Sequence, residues 1–378
     1  MTGRVDYAVV GGGPAGLAVA IIASLAGRRA VVVERAAGPV DKACGEGIMP
    51  PGVAWLVRMG VDVAATGAFP FRGIRYIDGA RAAEADFVEG PGLGVRRIAL
   101  SAAMLARAVE VGADVRRECA AETFAAHPDH VVLETTRGPV EARWLVGADG
   151  LHGRVRAVAG FAVDTGRRRR LGVRRHFRVA PWSDRVEVHW ADGVEAYVTP
   201  VGSDLVGIAF LWSSAGAPHG GYESLLDRFP QLRSRLGDAA GSPVTLQRGA
   251  GPFDVRVEPI ARGRVLLVGD AAGYLDAVTG EGLSLAFASA AALVEATAGE
   301  RVDAYSRAWT RIRRQHVALT RLVLWVADHP GLRRRVIRAL GESPGAFRAF
   351  LALNTGVWGW GRALPGVGKL GLRLLTAS

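Results

Sequence analysis

Four short apolar runs recur along the chain, Tyr7-Ala8-Val9-Val10, Ala30-Val31-Val32-Val33, Trp144-Leu145-Val146 and Val265-Leu266-Leu267-Val268. Unbroken hydrophobicity over so few residues predicts strands buried on both faces, as in a parallel sheet. Helical patterns fall between them. Leu17 to Leu25 follows the first run, Val53 to Met59 precedes a strand pair, and Ile98 to Val111 repeats Leu100, Met104, Leu105 and Val109 at helical spacing. A long small-residue helix is predicted over Leu285 to Ala298. Alternation of strand and helix gives an α/β fold with a Rossmann-like, discontinuous nucleotide-binding domain.

Elsewhere the pattern differs. Residues 71 to 95 predict a strand pair, Ile74 to Ile77 and Ala83 to Val88, turning at Asp78-Gly79. Residues 163 to 257 predict a run of longer strands, Leu171 to Val179, Val186 to Trp190, Glu195 to Thr199 and Val206 to Leu211, separated by Gly- and Asp-containing turns. This is read as an inserted antiparallel β-sheet domain for the substrate, and the arginine run 167 to 170 as its solvated entry. From Tyr305 onward the chain is helical and basic. The expected division is 1-70, 96-162 and 258-300 for the nucleotide domain, 71-95 and 163-257 for the substrate domain, and 301-378 for a C-terminal helical region.

The first strand ends in Gly11-Gly12-Gly13-Pro14-Ala15-Gly16. Gly11, Gly13 and Gly16 fill a G-x-G-x-x-G turn, which lets the chain turn tightly, lets a pyrophosphate approach the backbone and lets helix and strand pack closely. Glu34, with Arg35 beside it, ends the second strand about 20 residues on, where an acid meets a ribose hydroxyl. Three later positions offer further contacts. Arg97 opens a helix and either reaches a phosphate or ring edge with its guanidinium or is an ordinary surface arginine. Asp149 follows a strand end and either caps the next helix or lies near phosphate. Gly269 and Asp270 end another buried strand, and Gly280-Glu281-Gly282-Leu283 aims a helix N-terminus at bound negative charge. The Gly- and Pro-dense stretch 38 to 52 is a shaped loop, either carrying Cys44 and Gly45 over a flat ring or serving as an ordinary connection with a buried thiol. His176, His189 and Tyr197 are pocket candidates within the strands. No general base stands out.

Composition narrows this reading. The formal charge is +11, yet lysine occurs only at Lys42 and Lys369, so arginine supplies nearly all of the 47 basic residues. Such a bias reads as genome composition, with an anionic membrane surface or acidic carrier as the alternative; nucleic acid is not expected. Cys44 and Cys119 fit neither a disulfide framework nor a metal site. No signal-peptide order and no spanning segment is seen, so the expected location is cytoplasmic, with peripheral membrane contact through the basic C-terminal helices as a second reading.

Taken together, Gly11-x-Gly13-x-x-Gly16 with Glu34, Arg97-Ile98-Ala99-Leu100, Gly147-Ala148-Asp149-Gly150 and Gly269-Asp270 resemble the superfamily of FAD-dependent hydroxylases and geranylgeranyl reductases. The resemblance implies FAD as cofactor, with Arg97 touching it, Asp149 serving FAD and NAD(P)H, and Asp270 on the ribityl chain. Cys44-Gly45-Glu46-Gly47 and Thr279-Gly280-Glu281-Gly282 look like the reductase side. Tyr197-Val198-Thr199-Pro200 lacks the tryptophan and phenylalanine of the reductases' equivalent segment, and Gly153 departs from the serine usual after the Asp-Gly motif. Three functions follow as expectations. The first is NAD(P)H- and O2-dependent hydroxylation of a lipophilic phenolic or polyketide-like molecule. The second is saturation of prenyl double bonds, and the third is a non-catalytic, flavin-loaded membrane-surface protein. The oligomeric state is open.

Overall fold

The computed structural model describes residues 3–166, 169–213 and 221–363. Arg167 and Arg168 of the basic run, Lys369 and the rest of the C-terminal end lie outside the described residues. Helices are α1 (Pro14–Leu25), α2 (Pro50–Arg58), α3 (Arg97–Glu110), α4 (Val155–Val158), α5 (Gly221–Leu226), α6 (Pro230–Leu236), α7 (Gly282–Ala298), α8 (Val302–Ala327), α9 (Pro330–Gly341) and α10 (Pro344–Asn354). The apolar patterns for α1, α2 and α7 begin later than the helices themselves. Pro14 and Pro50 supply the first turns of α1 and α2 because a helix start needs no N–H there.

The first sheet runs in the order Ala261–Arg262, Val265–Leu267, Val140–Gly147, Val5–Val10, Ala30–Val33, Asp114–Arg116. Val5–Val10 is parallel to both neighbours, and Val140–Gly147 is parallel to Val265–Leu267. Val131–Thr135 and Ala121–Ala126 extend it as antiparallel strands. Tyr7, Val9, Val32, Leu145 and Leu266 are almost wholly buried in the core around this sheet. Each such side chain contributes about 1.5–3 kcal/mol of burial. Tyr7 Oη and Thr297 Oγ1, 2.7 Å apart, pin α7 to the first strand.

The second sheet has the order Arg248–Ala250, Arg170–Phe177, Leu205–Ser213, Val194–Gly202, Val186–Ala191, Gly73–Asp78, Arg81–Asp86. It is not wholly antiparallel: Val186–Ala191 runs parallel to Gly73–Asp78. The expected strand pair reaches its neighbour Val186–Ala191 by a connection of about a hundred residues, not by a hairpin, so either direction is open to it. α5 and α6 cover one face. The other face packs on α8–α10 through Ile74, Val188, Trp190, Val323, Ile337 and Phe347.

One arginine of the 167 to 170 run and one of the C-terminal helices are buried in ion pairs. Arg170 is buried, with Nε 2.8 Å from Asp276 and Nη2 2.6 Å from Glu195, so it is not part of a solvated entry. Burial alone would lower its pKa, but the two carboxylates outweigh that and raise it. Arg333 is also buried, paired with Asp78 at 2.8 Å and Asp192 at 2.9 Å, and it ties α9 to the sheet. Among the described residues, no helix is long and apolar enough to cross a membrane.

Candidate functional site

Gly11 has φ 111°, and a Cβ there would lie 2.5 Å from the Ala148 carbonyl oxygen. A Cβ on Gly16 would lie 2.0 Å from the Gly11 carbonyl oxygen. Gly11 therefore lets the turn press against the segment after Val140–Gly147, and Gly16 lets α1 press against the end of the first strand from behind the turn. Gly13 is different, since a Cβ there meets nothing within 4 Å. It fronts open space at the start of α1, where no side chain caps the free N–H groups. Pro14 and Ala15 border the same space. Glu34 accepts the N–H of Gly12 at 2.8 Å and of Ala36 at 2.9 Å, which fixes its carboxylate beside Arg35 at the mouth of the turn.

Segments far along the sequence return to this crevice. Arg97 is the first residue of α3, and its buried Nε has no partner. Asp149 follows the strand Val140–Gly147. One carboxylate oxygen accepts the Val155 N–H at 2.9 Å, so it does cap the short α4, while the other is buried and unpaired. Gly153 leaves room for Asp149, because a Cβ there would lie 2.2 Å from Oδ1. Gly269 and Asp270 follow Val265–Leu267, with Asp270 open to the crevice. The protein crowded around Asp270 raises its carboxyl pKa, opposed by Arg97, Lys42 and Arg156. Gly280, Gly282 and Leu283 border the crevice at the N-terminal end of α7.

The loop from Pro39 to Glu46 crosses from the first strand layer to the second sheet, and Cys44 and Gly45 line the crevice. Thr199 Oγ1 donates to the Gly45 carbonyl at 2.8 Å. Glu46, which sequence reasoning quoted but did not select, is the anchor. It is buried at φ 60°, and its Oε1 accepts the Arg97 N–H at 2.7 Å. Its Oε2 bonds His176 Nε2, and Arg174 Nη2 lies 3.4 Å from Oε1. Arg174 Nη1 meets His176 Nδ1 at 3.1 Å. An arginine nitrogen only donates, so His176 carries its proton on Nε2 and gives it to Glu46. Burial, opposed by Glu46, holds the His176 pKa below the usual range.

Two of the three strand candidates do not line the cavity. His176 is covered by Glu46 and its loop. His189 alternates with Val186 and Val188, so strand parity turns it to the opposite face, against Glu187 and Phe229. Tyr197 does line the cavity, and its hydroxyl donates to the Val278 carbonyl at 3.1 Å. The crevice opens without a break into a chamber lined by Met49, Phe71, Ile74, Val186, Val188 and Leu351, with Tyr76 and Asn354 as polar neighbours. Burial holds Tyr76 and Tyr197 well above the usual phenol range, so both stay protonated. Asp276, held by Arg170, accepts the Val278 N–H at 3.0 Å and so shapes the wall between chamber and α7.

The whole cavity measures about 1370 Å3. A single-ligand pocket is commonly about 300–1,000 Å3, so there is space for a dinucleotide and a second molecule. The residues fit the dinucleotide. Open backbone N–H groups, an unpartnered arginine nitrogen and carboxylates at strand ends are the donors and acceptors that phosphates and ribose hydroxyls require. Among the described residues no cluster has the make-up of a metal site.

Comparison with known proteins agrees with this fit. Residues 4–319 match the family described as FAD binding domain. The chain is 28% identical to menaquinone reductase of Mycobacterium tuberculosis over 83% of this chain and 84% of that protein. It is 29% identical to digeranylgeranylglycerophospholipid reductase 1 of Methanopyrus kandleri, over 74% and 77%. It is 32% identical to the 12-dehydrotetracycline 5-monooxygenase/anhydrotetracycline 6-monooxygenase of Streptomyces rimosus, but over only 42% of this chain and 33% of the other. In structure it resembles a flavoprotein/dehydrogenase from Cytophaga hutchinsonii with a TM-score of 0.85 at 18% identity, covering 99% and 100% of the two chains.

Proposed function

The chain belongs to the FAD binding domain family and is an FAD-dependent oxidoreductase, and from that premise we propose that it reduces a carbon–carbon double bond in a lipophilic, quinone- or prenyl-bearing substrate. The observation that carries this reading is the continuity of the dinucleotide crevice with an apolar chamber. The two reductases similar to the chain over most of its length support it, since their names specify a quinone and a prenyl lipid.

In this reading the turn at Gly11 and Gly13 and the N-terminus of α1 hold the pyrophosphate, Glu34 a ribose, and Arg97, Asp149 and Asp270 the middle of the cofactor. Cys44, Gly45 and the start of α7 border its ring. Bound FAD supplies the two-electron chemistry. The chain's own contribution is placement. Met49, Phe71, Ile74, Val186, Val188 and Leu351 exclude water and seat the apolar part of the substrate. Tyr76 keeps its proton and offers an O–H group to a polar end, while Tyr197 gives its own to the Val278 carbonyl and so helps fix the chamber wall. Glu46, Arg174 and His176 fix the loop that closes one side of the crevice. NAD(P)H is the proposed electron donor, and Lys42 and Arg154, exposed and lining the cavity, suit its phosphates.

Hydroxylation with O2 is the second reading, favoured by the similarity to a tetracycline-pathway monooxygenase over part of the chain. Turnover without oxygen separates the two. A double-bond reductase continues when O2 is removed and donor is supplied, whereas a hydroxylase stops.

A further inference from the structure

The chain's excess charge is confined to one region. Residues 1–300 contain 33 basic and 33 acidic side chains, whereas residues 301–378 contain 14 basic and 3 acidic, a surplus of 11 that equals the whole net charge of +11. A genome that merely prefers arginine to lysine changes the type of cation, not the local balance. The surplus therefore needs its own explanation.

The fold places much of it on one exposed layer. Along α8, Arg307, Arg311, Arg314 and Arg321 recur three, four or seven residues apart and are exposed, which puts them on one stripe. The same stripe ends in Leu322, 47% exposed, and Trp325, 50% exposed. α9 adds exposed Arg334, Arg335 and Arg338, and Trp360 beyond α10 is 45% exposed. The opposite side of these helices is apolar and packs on the second sheet. Phe350, Leu351 and Asn354 of α10 line the chamber, and α10 packs on α8 and α9.

We propose that the outer face of α8 and α9 docks the enzyme on an anionic lipid bilayer, lying on the surface without crossing it. Charge selects the partner, and the exposed indole and leucine side chains favour a lipid interface over a purely polar acidic protein. Each arginine close to an anionic leaflet contributes about fivefold in affinity, so the stripe as a whole is a strong anchor. The inference is independent of which reaction the chamber supports.

The test uses the full FAD-loaded chain and vesicles of phosphatidylcholine with or without 30% phosphatidylglycerol, at about 50 to 500 mM NaCl. Expected is sedimentation with the anionic vesicles, loss of binding as salt rises, and little binding to neutral vesicles. Arg311→Glu with Arg314→Glu and Arg321→Glu should weaken binding by about 100-fold or more, with visible flavin absorbance and melting temperature retained. Should that variant fail to fold, Leu322→Ala with Trp325→Ala is the second probe, expected to weaken binding about tenfold. Equal binding to neutral vesicles, no binding to anionic vesicles at low salt, unchanged binding in a folded charge variant, or binding to an acidic protein or DNA oligonucleotide but not to vesicles overturns the proposal.

Discussion

Glu46 accepts the backbone N–H of Arg97 at 2.7 Å across 51 residues of sequence. The contact joins the loop carrying Cys44 to the first residue of α3, and the same carboxylate reaches His176 in the second sheet. One buried side chain thereby sets the relative position of three pieces that border the cavity. Glu46→Ala leaves the Arg97 N–H and the His176 Nε2–H without their acceptor, while Arg174 keeps Asp41 at 2.8 Å, and each buried donor left unpaired costs about 1–3 kcal/mol. Urea unfolding should show that loss, and FAD should be bound more weakly in the fraction that folds.

Gly11 and Gly13 predict different outcomes. Gly11→Ala combines a positive φ with a clash against Ala148 and should lose both stability and FAD. Gly13→Ala meets no protein atom within 4 Å, so apoprotein stability should change by less than about 1 kcal/mol. Its methyl projects into the space for phosphate, and FAD affinity measured by flavin fluorescence should fall more than about tenfold, the equivalent of about 1.4 kcal/mol.

Much of this site was legible because its chemistry needs local patterns. Buried parallel strands require continuous apolar runs, and a phosphate turn requires glycines at set spacings. The side-chain partnerships were not legible. Arg170 and Arg333 look like surface cations in sequence because the partners Asp276 and Asp78 lie 106 and 255 residues away, and the other two, Glu195 and Asp192, lie 25 and 141 residues away on other strands and turns. His189 looks like a pocket residue because alternation defines two faces without saying which one borders the cavity. Glu46 had one readable signal, an acid between two glycines in a loop expected to cross a ring, but its partners come from a different sheet.

Arg170 supports two buried carboxylates at once, and burial raises the pKa of both Glu195 and Asp276. Arg170→Met should destabilise the fold by about 3–5 kcal/mol near neutral pH. Adding Glu195→Gln and Asp276→Asn should recover a substantial part, because the uncompensated charges are then gone. Thermal melts of the single and triple variants check this.

Glu281, buried at the start of α7, has its pKa pushed up to about 8 by burial. Its folded value lies above its unfolded one, so its favourable contribution is complete below the unfolded pKa and is lost as pH rises through the folded pKa. Unfolding free energy should therefore decline from about pH 4.5 to 8, by at most about 5 kcal/mol. Glu281→Gln should remove that decline and raise the melting temperature at pH 8 more than at pH 5.

Ala209 pairs in register with Tyr197 and lines the cavity. Ala209→Leu adds bulk where the apolar part of a substrate is proposed to sit. Expected is a rise in KM of about tenfold or more for a lipophilic substrate, on the scale of about 1–3 kcal/mol for misfit in an apolar pocket. The bound FAD per chain should be unchanged.

The mass of the product formed in one anaerobic turnover tests the central claim most directly. The FAD-loaded enzyme is reduced by NAD(P)H or dithionite, mixed with a prenylated quinone under argon, and the product is examined by mass spectrometry. The account predicts a product retaining two added hydrogens after reoxidation of the quinone head, located in the chain. No such product under argon, with one added oxygen atom appearing only when air is admitted, would contradict it and establish the hydroxylase reading instead.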